Sequence, residues 1–470
     1  MILSLVLFLC HLAGFLTSIK AIMETRTSQG AIAWAVSLNT FPYVAVPVYW
    51  IFGRSKFSGY VTLRRGELMK TSPVARKLVE DLTLARMHSV AHRVDAHLLE
   101  KLARLPFTGH NQGSLLIDGE ATFAAIFEAI ASAKDYILVQ FFIIHDYGLG
   151  RRLKDALLAK AGAGVRCYVL FDEIGSGRLK TYSAALRAGG VHITPFNSTK
   201  GKANRFQLNF RNHRKIVIVD GRVAFVGGHN AGDDYLGLHP RLTPWRDTHV
   251  KVEGPVVQCV QVCWIEDWHW ATGQIPELAW VPSRAADTGS AAMCLPSGPA
   301  DTLETATLFF VHAIGFAKKR LWIASPYFVP DEQFLTVLQL AALRGVDVRI
   351  LTPKNPDHPL VILSAYSYLP QTEPVGIKWF RYKSGFMHQK VMLVDDDYCT
   401  IGTANFDNRS FRLNFELTMV FYDTALSQQV AAMLERDFAN SEPASASELT
   451  GASFWFRLKV RVARLLAPVQ

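Results

Sequence analysis

His213, Lys215 and Asp220 lie in the stretch Asn212-His213-Arg214-Lys215-Ile216-Val217-Ile218-Val219-Asp220, and the same pattern, H-x-K-x-x-x-x-D, returns as His388, Lys390 and Asp395. An imidazole titrates near neutrality and serves as nucleophile or acid, while a fixed ammonium beside it neutralises oxygen charge. Side by side they suit attack on a phosphate. One copy supplies half a site, because displacement at phosphorus needs a nucleophile on one side and a proton donor for the leaving oxygen on the other. Two copies meeting face to face would complete it.

The elements that position these groups follow from the pattern. The apolar runs between Lys and Asp read as buried strands, in which residues i and i+2 share a face, so each His projects with its Lys. Asp220 and Asp395 complete the motifs but, by alternation, point away from that face, and a structural role is expected for them. Gly227-Gly228-His229-Asn230 and Gly402-Thr403-Ala404-Asn405 each begin 14 residues after the motif histidine. An acid then follows in each copy, Asp247 and Glu416, and these are expected to orient the two histidines. No ligand cluster for a metal accompanies them, and this chemistry needs neither metal nor cofactor. His88, His92 and His97 read as a solvated helical face. Cys259 and Cys263, at helical spacing among Trp264, Trp268 and Trp270, read as packing, and the scattered cysteines fit a reducing compartment.

The second copy, Gly402-Thr403-Ala404-Asn405-Phe406-Asp407-Asn408-Arg409-Ser410 followed by Asn414-Phe415-Glu416, resembles the extended motif of the phospholipase D superfamily, and within it the bacterial cardiolipin synthases. The first copy is looser: it keeps Gly227, Gly228 and Asn230 but lacks the Arg-Ser pair. The resemblance covers nearly the whole chain. The motif chemistry itself leads to attack by one histidine, giving a phosphatidyl-histidine, while the other serves as acid/base; His213 is assigned as nucleophile and His388 as acid/base, the near-equivalent copies leaving the reverse open, with Lys215, Lys390, Asn230 and Asn405 holding the nonbridging oxygens. The resemblance implies phosphatidylglycerol as donor and acceptor, giving cardiolipin and glycerol; motif spacing alone does not distinguish water from glycerol as acceptor. A hydrolase or phosphodiesterase of the same fold is the alternative enzyme, and a catalytically silent lipid-binding scaffold the alternative class. Intact motifs argue against the scaffold.

The chain's 470 residues are enough for two cores, half of them are hydrophobic, and 50 Lys and Arg against 40 Asp and Glu leave a charge of +10. That charge fits anionic membrane lipids. Residues 1–19 are nearly all apolar and 31–52 carry no charge, so both read as spans, joined by a short link into a transmembrane helical hairpin within 1–56. Pro42 and Pro47 suggest a kink in the second. Arg54, Lys56, Arg64, Arg65, Lys70, Arg76 and Lys77 follow it, which places the body on the cytoplasmic side of a bacterial inner membrane, multi-pass, with the link between the spans facing outward. Such an anchor suits a lipid substrate and argues against nucleic acid as partner. A homo-oligomer is left open.

A helical connector is expected over 57–104. The body then reads as α/β, two pseudo-symmetric phospholipase D-like α/β/α repeats over 105–285 and 286–440, because Tyr136–Phe171 and Arg320–Leu351 both run strand, helix, Gly, strand. Each repeat is expected to form a largely parallel sheet, with Pro282–Pro299 as linker. Loops Phe171–Ser176, Ser325–Pro330 and Lys354–His358 are placed at the cleft, where Tyr327 and Phe328 line an acyl or glycerol entrance or simply pack the core. The tail 441–470 holds a basic amphipathic helix from Phe454 to Leu466, read as lying on the membrane or docked on the body.

Overall fold

The computed structural model describes residues 2–53, 56, 57, 60, 77, 80 and 96–470, apart from 178, 200–208, 288 and 356. Most of the connector expected over 57–104, with His88, His92 and five of the seven basic residues after the second apolar segment, lies outside the described residues; His97 is exposed on the helix Ala96–Ala103.

The first repeat contributes β1 (Thr108–Ile117), β2 (Tyr136–Phe141), β3 (Arg166–Phe171), β4 (His192–Pro195), β5 (Arg211–Asn212), β6 (Ile216–Val219), β7 (Val223–Gly227), β8 (Trp245–Arg246) and β9 (Thr248–Glu253). The second contributes β10 (Ser290–Ser297), β11 (Arg320–Ala324), β12 (Phe328–Val329), β13 (Asp347–Pro353), β14 (Lys378–Tyr382), β15 (Phe386–Met387), β16 (Val391–Val394), β17 (Tyr398–Gly402), β18 (Phe406–Asp407), β19 (Asn414–Tyr422) and β20 (Ser441–Ala444). Among the described residues the main strands form one sheet, in the order β20-β14-β13-β11-β16-β17-β19-β10-β1-β9-β7-β6-β2-β3-β4, with β5 against β19. Read outward from the β10–β1 seam, the two halves repeat one another over seven strands, and β20 adds an eighth at the edge of the second.

This corrects three expectations. The halves are not separate sheets but are hydrogen-bonded edge to edge through β10 and β1. Only the outer strands run parallel, β2–β3–β4 and β11–β13–β14, whereas the motif strands β6 and β16 are antiparallel to their neighbours. And the second half of the stretch read as a linker holds β10, whose Ala292, Met293, Cys294 and Leu295 are buried between β1 and β19. Small residues and a proline imitate a linker, but here they fit a crowded central strand. Cys259 and Cys263 are buried in the helix Val256–Thr272 as expected, and the larger apolar core draws residues from both repeats.

The N-terminal segment differs most from expectation. Residues Ile2–Glu24 form one helix, α1, the one described helix long and apolar enough to cross a membrane. The second apolar segment is two helices, α2 (Ser28–Thr40) and α3 (Pro42–Phe52), because Phe41 leaves helical geometry and Pro42 starts a new first turn. The chain then turns back. Trp34 in α2 meets Tyr49 near the end of α3 at 5.1 Å between ring centroids, and Lys20 of α1 lies 5.1 Å over the Trp50 ring. The link between α1 and α2 faces the body rather than away from it: Arg26 pairs with Glu304 at 2.5 Å and with Asp331 at 3.1 Å. Among the described residues, α1 alone has the length and composition of a full span.

Candidate active site

Two short parallel bridges between the repeats build the site. β5, which leads into His213, pairs with the start of β19, which leads into Glu416; β15, which leads into His388, pairs with β8, which leads into Asp247. The backbone continues each register, since His213 N donates to Phe415 O at 2.9 Å and His388 N to Arg246 O at 2.8 Å. Each histidine is therefore delivered to the acid of the other repeat. His213 Nδ1 sits 2.9 and 3.0 Å from the two Glu416 oxygens, and His388 Nδ1 sits 2.7 Å from Asp247 Oδ2.

A carboxylate accepts, so the proton on each ring resides on Nδ1 and Nε2 keeps its lone pair. The side chains are 10% and 8% exposed, enough for one edge of each ring to meet a ligand. Phe142 packs edge-on against His213, while Trp245, Phe386 and Tyr235 surround His388. Burial, opposed by Glu416 and aided by Lys215 and Lys390, holds His213 down to about 4. Burial and both lysines also hold His388 well below its ordinary value. Both shifts favour the neutral ring at physiological pH. Burial works against the Glu416 charge, but His213, Lys215 and the Thr403 hydroxyl together keep its carboxyl below the usual range.

Lys215 and Lys390 each spend one donor on the carbonyl of their own motif histidine, at 2.6 and 2.5 Å, which leaves two ammonium hydrogens apiece for a ligand. Burial lowers Lys215 well below its ordinary value and Lys390 to about 8, the latter against the pull of Asp247, Glu416, Asp357 and Asp407. Two desolvated lysines, with Lys390 helping to lower Lys215, are a receptor for an anion.

Asp220 and Asp395 stand at the far ends of β6 and β16, away from the histidines. The backbone turns left-handed at both, with φ of 52°. Asp220 accepts from the backbone N–H groups of Lys134, Asp135 and Tyr136, and Asp395 from those of Lys318, Lys319 and Arg320, fixing the starts of β2 and β11. Asn230 is also framework: Oδ1 accepts from Ile143 N and Nδ2 donates to Tyr235 Oη at 2.6 Å. Asn405 turns its amide to Asp407 and leaves Oδ1 buried without a hydrogen-bond partner among the described residues, an acceptor that suits a hydroxyl better than a phosphate oxygen. Phosphate contact therefore falls chiefly to the lysines.

Several supporting residues carried no signal in the motif. Thr403 donates to Glu416 at 2.5 Å; Asp172 accepts from Asn212 N and so fixes the approach to His213. Arg214 pairs with Asp267 at 2.7 Å with both side chains fully buried, and Arg246 pairs with Asp437 at 2.9 Å. The buried Asp on each long helix, Val256–Thr272 and Thr424–Ala439, recurs at similar distance after β9 and β19 and was available to a repeat alignment. Tyr327 donates to Asp357 at 2.6 Å, whereas Phe328 is core, stacked on Phe406.

A family model described as cardiolipin synthase, PLD-like domain, matches residues 126–239 and 310–438, one segment in each repeat. A cardiolipin synthase A of Pseudomonas putida strain KT2440 is 48% identical over 467 residues, covering 98% of this chain and 96% of that protein, and one from Pseudomonas fluorescens strain SBW25 is 48% identical over 465 residues, covering 98% and 96%. Among solved structures, phosphatidylserine synthase of Haemophilus influenzae Rd KW20 overlays with a TM-score of 0.59 at 15% identity, covering 80% of this chain and all of that one, a likeness of fold. The family model matches a segment of each repeat and the relatives run the length of the chain, so it belongs to the phospholipase D-like cardiolipin synthase family.

Proposed function

We propose that this enzyme transfers a phosphatidyl group between two phosphatidylglycerol molecules, giving cardiolipin and glycerol. The observation that carries the reading is the crossed pairing of two neutral histidines with two carboxylates around two buried lysines, in a chain nearly half identical to cardiolipin synthases A. His213 Nε2 attacks phosphorus as the bond to the glycerol oxygen breaks, and His388 gives that oxygen its proton. The products of this half are glycerol and a phosphatidyl-histidine. His388, neutral again, takes the proton of an incoming phosphatidylglycerol hydroxyl, whose oxygen displaces His213 and regenerates the site.

Burial and both lysines favour the neutral His388 ring, so the proton it donates has to arrive with the substrate. A phosphodiester anion placed between Lys215 and Lys390 cancels the positive field that depresses the ring, and proton uptake accompanies binding. Lys215 and Lys390 then stabilise the charge that builds on the nonbridging oxygens. Anionic membrane lipids are the partners, and the basic residues that follow the apolar segments support a body on the cytoplasmic face of the inner membrane.

The test is detergent-solubilised protein with labelled phosphatidylglycerol, beside His213→Ala and His388→Ala. Cardiolipin and glycerol in equal amounts from the wild type, and neither from the variants, are expected. Phosphatidic acid in place of cardiolipin would make water the acceptor and the enzyme a hydrolase.

A further inference from the structure

We propose that Ser28–Phe52 is a re-entrant helix pair that dips into the bilayer and returns to the side of the catalytic body, so that α1 alone crosses.

The argument starts from length. At about 1.5 Å per residue α1 is roughly 34 Å long, enough for a hydrocarbon core of about 30 Å, whereas α2 and α3 reach only about 20 and 16 Å. Joined end to end they would span. They are folded back instead, as two ring contacts and one cluster show: Tyr49 meets Trp34, Trp50 lies under Lys20, and Ala21 and Tyr49 are fully buried in one small cluster with Leu38 and Ala45.

Both ends of the pair are tied to the body. Arg26, just before α2, pairs with Glu304 and Asp331; the Phe52 carbonyl at the end of α3 accepts from Asn209 Nδ2 at 3.1 Å, and Lys56 donates to Asp301 O at 2.8 Å. The turn at the opposite end is built to lie in lipid, where polar groups must be satisfied internally. Phe41 N and Ala45 N donate back to Ser37 O and Phe41 O at 2.9 Å, and Asn39 Nδ2 and Thr40 Oγ1 to the carbonyls of Ala35 and Val36. The turn rests on α1 at Gly14, where a Cβ would stand 2.1 Å from Leu38 O. Around it Ile32, Val36, Phe41, Val44 and Val48 are exposed, an apolar sleeve that a bilayer covers.

An independent element faces the same way. The helix Asn408–Arg412, which closes the second motif, holds Glu304 and Asp331 through Arg412 and the Asn209 carbonyl through Arg409, the very residues that hold Arg26 and Phe52. Its Asn408 Nδ2 also donates to Ala467 O, beyond the C-terminal helix Phe454–Arg464. That helix buries Val460 and Ala463 against the body and exposes Phe454, Trp455 and Leu458 beside Arg457, Lys459 and Arg461, which fits an anionic lipid surface. Charge agrees with a single crossing: residues 2–19 contain no Lys or Arg, whereas Lys20 and Arg26 stand at the body's end of α1.

The experiment reads topology, not turnover, and so stands apart from the proposed reaction. In the full-length chain with Cys10→Ala, single cysteines Ser4→Cys, Ser28→Cys and Ser132→Cys are exposed to a membrane-impermeant maleimide in spheroplasts and in inverted vesicles. Ser28→Cys labelling from the same side as the body position Ser132→Cys, with Ser4→Cys from the other, is the expected result. Two full spans give the reverse, Ser4→Cys with Ser132→Cys and Ser28→Cys opposite, and overturn the proposal, as does all three on one side. The double variant Lys20→Cys/Trp50→Cys checks the fold-back directly: an oxidised cross-link is expected, and its absence in membranes where Ser132→Cys shows an intact body would also overturn it.

Discussion

The two histidine half-sites use the same strands but secure their acids differently. Glu416 is the longer acid, and it accepts from the Thr403 hydroxyl at 2.5 Å and the Asn414 amide at 3.2 Å as well as from His213. Asp247 is one methylene shorter, and the position matching Thr403 is Gly228, where a Cβ would lie 2.0 Å from its Oδ1; its added support comes from Thr248 N and, at 3.4 Å, Trp245 Nε1. Beneath the histidines the difference recurs. Arg214 inside the first motif neutralises Asp267 of its own repeat, whereas the matching Gln389 only hydrogen-bonds Asp437, whose charge is met by Arg246 from the first repeat. Duplication has left two halves that look alike and lean on one another unequally. The His388 half borrows both its acid and its buried cation; the His213 half borrows only its acid.

The sharpest way to break this comparison is to exchange the chemical demand on each half. With phosphatidylglycerol, His213→Ala and His388→Ala should both lose at least about 10⁴-fold in rate, since nucleophile and acid are each indispensable for an alkoxide leaving group. A phosphatidyl lipid bearing nitrophenol in place of glycerol needs no acid. His388→Ala should then still release a burst of nitrophenol equal to the enzyme present, and His213→Ala none. The opposite pattern would exchange the two roles.

The lysines give the next largest effect. Lys390→Met should lower the rate by about 10²–10³-fold through lost stabilisation of the phosphoryl oxygens. The pH dependence of kcat/KM tests the charge itself. His213 takes up a proton as pH falls through about 4, which removes the nucleophile; above that, the proton His388 must take up on binding makes kcat/KM decline with pH, and the decline should bend down further as Lys390 loses its charge through about 8. Lys390→Arg keeps the charge across this range, so the bend near 8 should vanish while the acid one stays.

Stability sharpens the inequality beneath the rings. Arg214→Gln leaves Asp267 buried without its cation and should cost about 3–5 kcal/mol in denaturant unfolding. Arg246→Gln should cost less, because the Arg246 and Asp437 side chains are each 7% exposed, whereas Arg214 and Asp267 are fully sealed. Equal losses would mean that the two buried acids are not held in the different ways their partners suggest.

The repeat, the motif strands and the six motif residues were legible because each rests on local pattern: alternation in Ile216–Val219 and Val391–Val394 fixes which side chains share a face. What decides the site was not local. The crossing of His213 to Glu416 and of His388 to Asp247 depends on two-residue bridges, β5 with β19 and β8 with β15, too short to leave any periodicity. β10 was hidden because Ser290–Ser297 is small-residue sequence whose burial comes wholly from its neighbours. In the membrane segment the uncharged run 31–52 suits a span and a folded-back pair equally; Pro42 was read as a kink when it is the first residue of a returning helix. Asn230 and Asn405 sit at matching places in the sequence, yet one is consumed by Tyr235 and the backbone while the other leaves an oxygen free, a difference set by neighbours from elsewhere in the chain.

The smallest expected effect is the most specific to the asymmetry. Thr403→Val removes one neutral-to-charged hydrogen bond from Glu416 at nearly constant volume, worth about 1.5–3 kcal/mol to a buried carboxylate, but His213 and Asn414 still hold it. A loss of roughly ten-fold follows, well short of Glu416→Gln, which would leave the His213 ring without the acceptor that fixes its tautomer. With the nitrophenol lipid the same ten-fold should appear in the burst rate, because Thr403 supports the nucleophile's half of the site. Gly228→Ser is the matching change in the other half, and there the new side chain collides with Asp247 rather than supporting it. Its damage should fall on phosphatidylglycerol turnover and leave the nitrophenol burst nearly intact. If both variants acted alike on both lipids, the two half-sites would be equivalent in function despite their different construction.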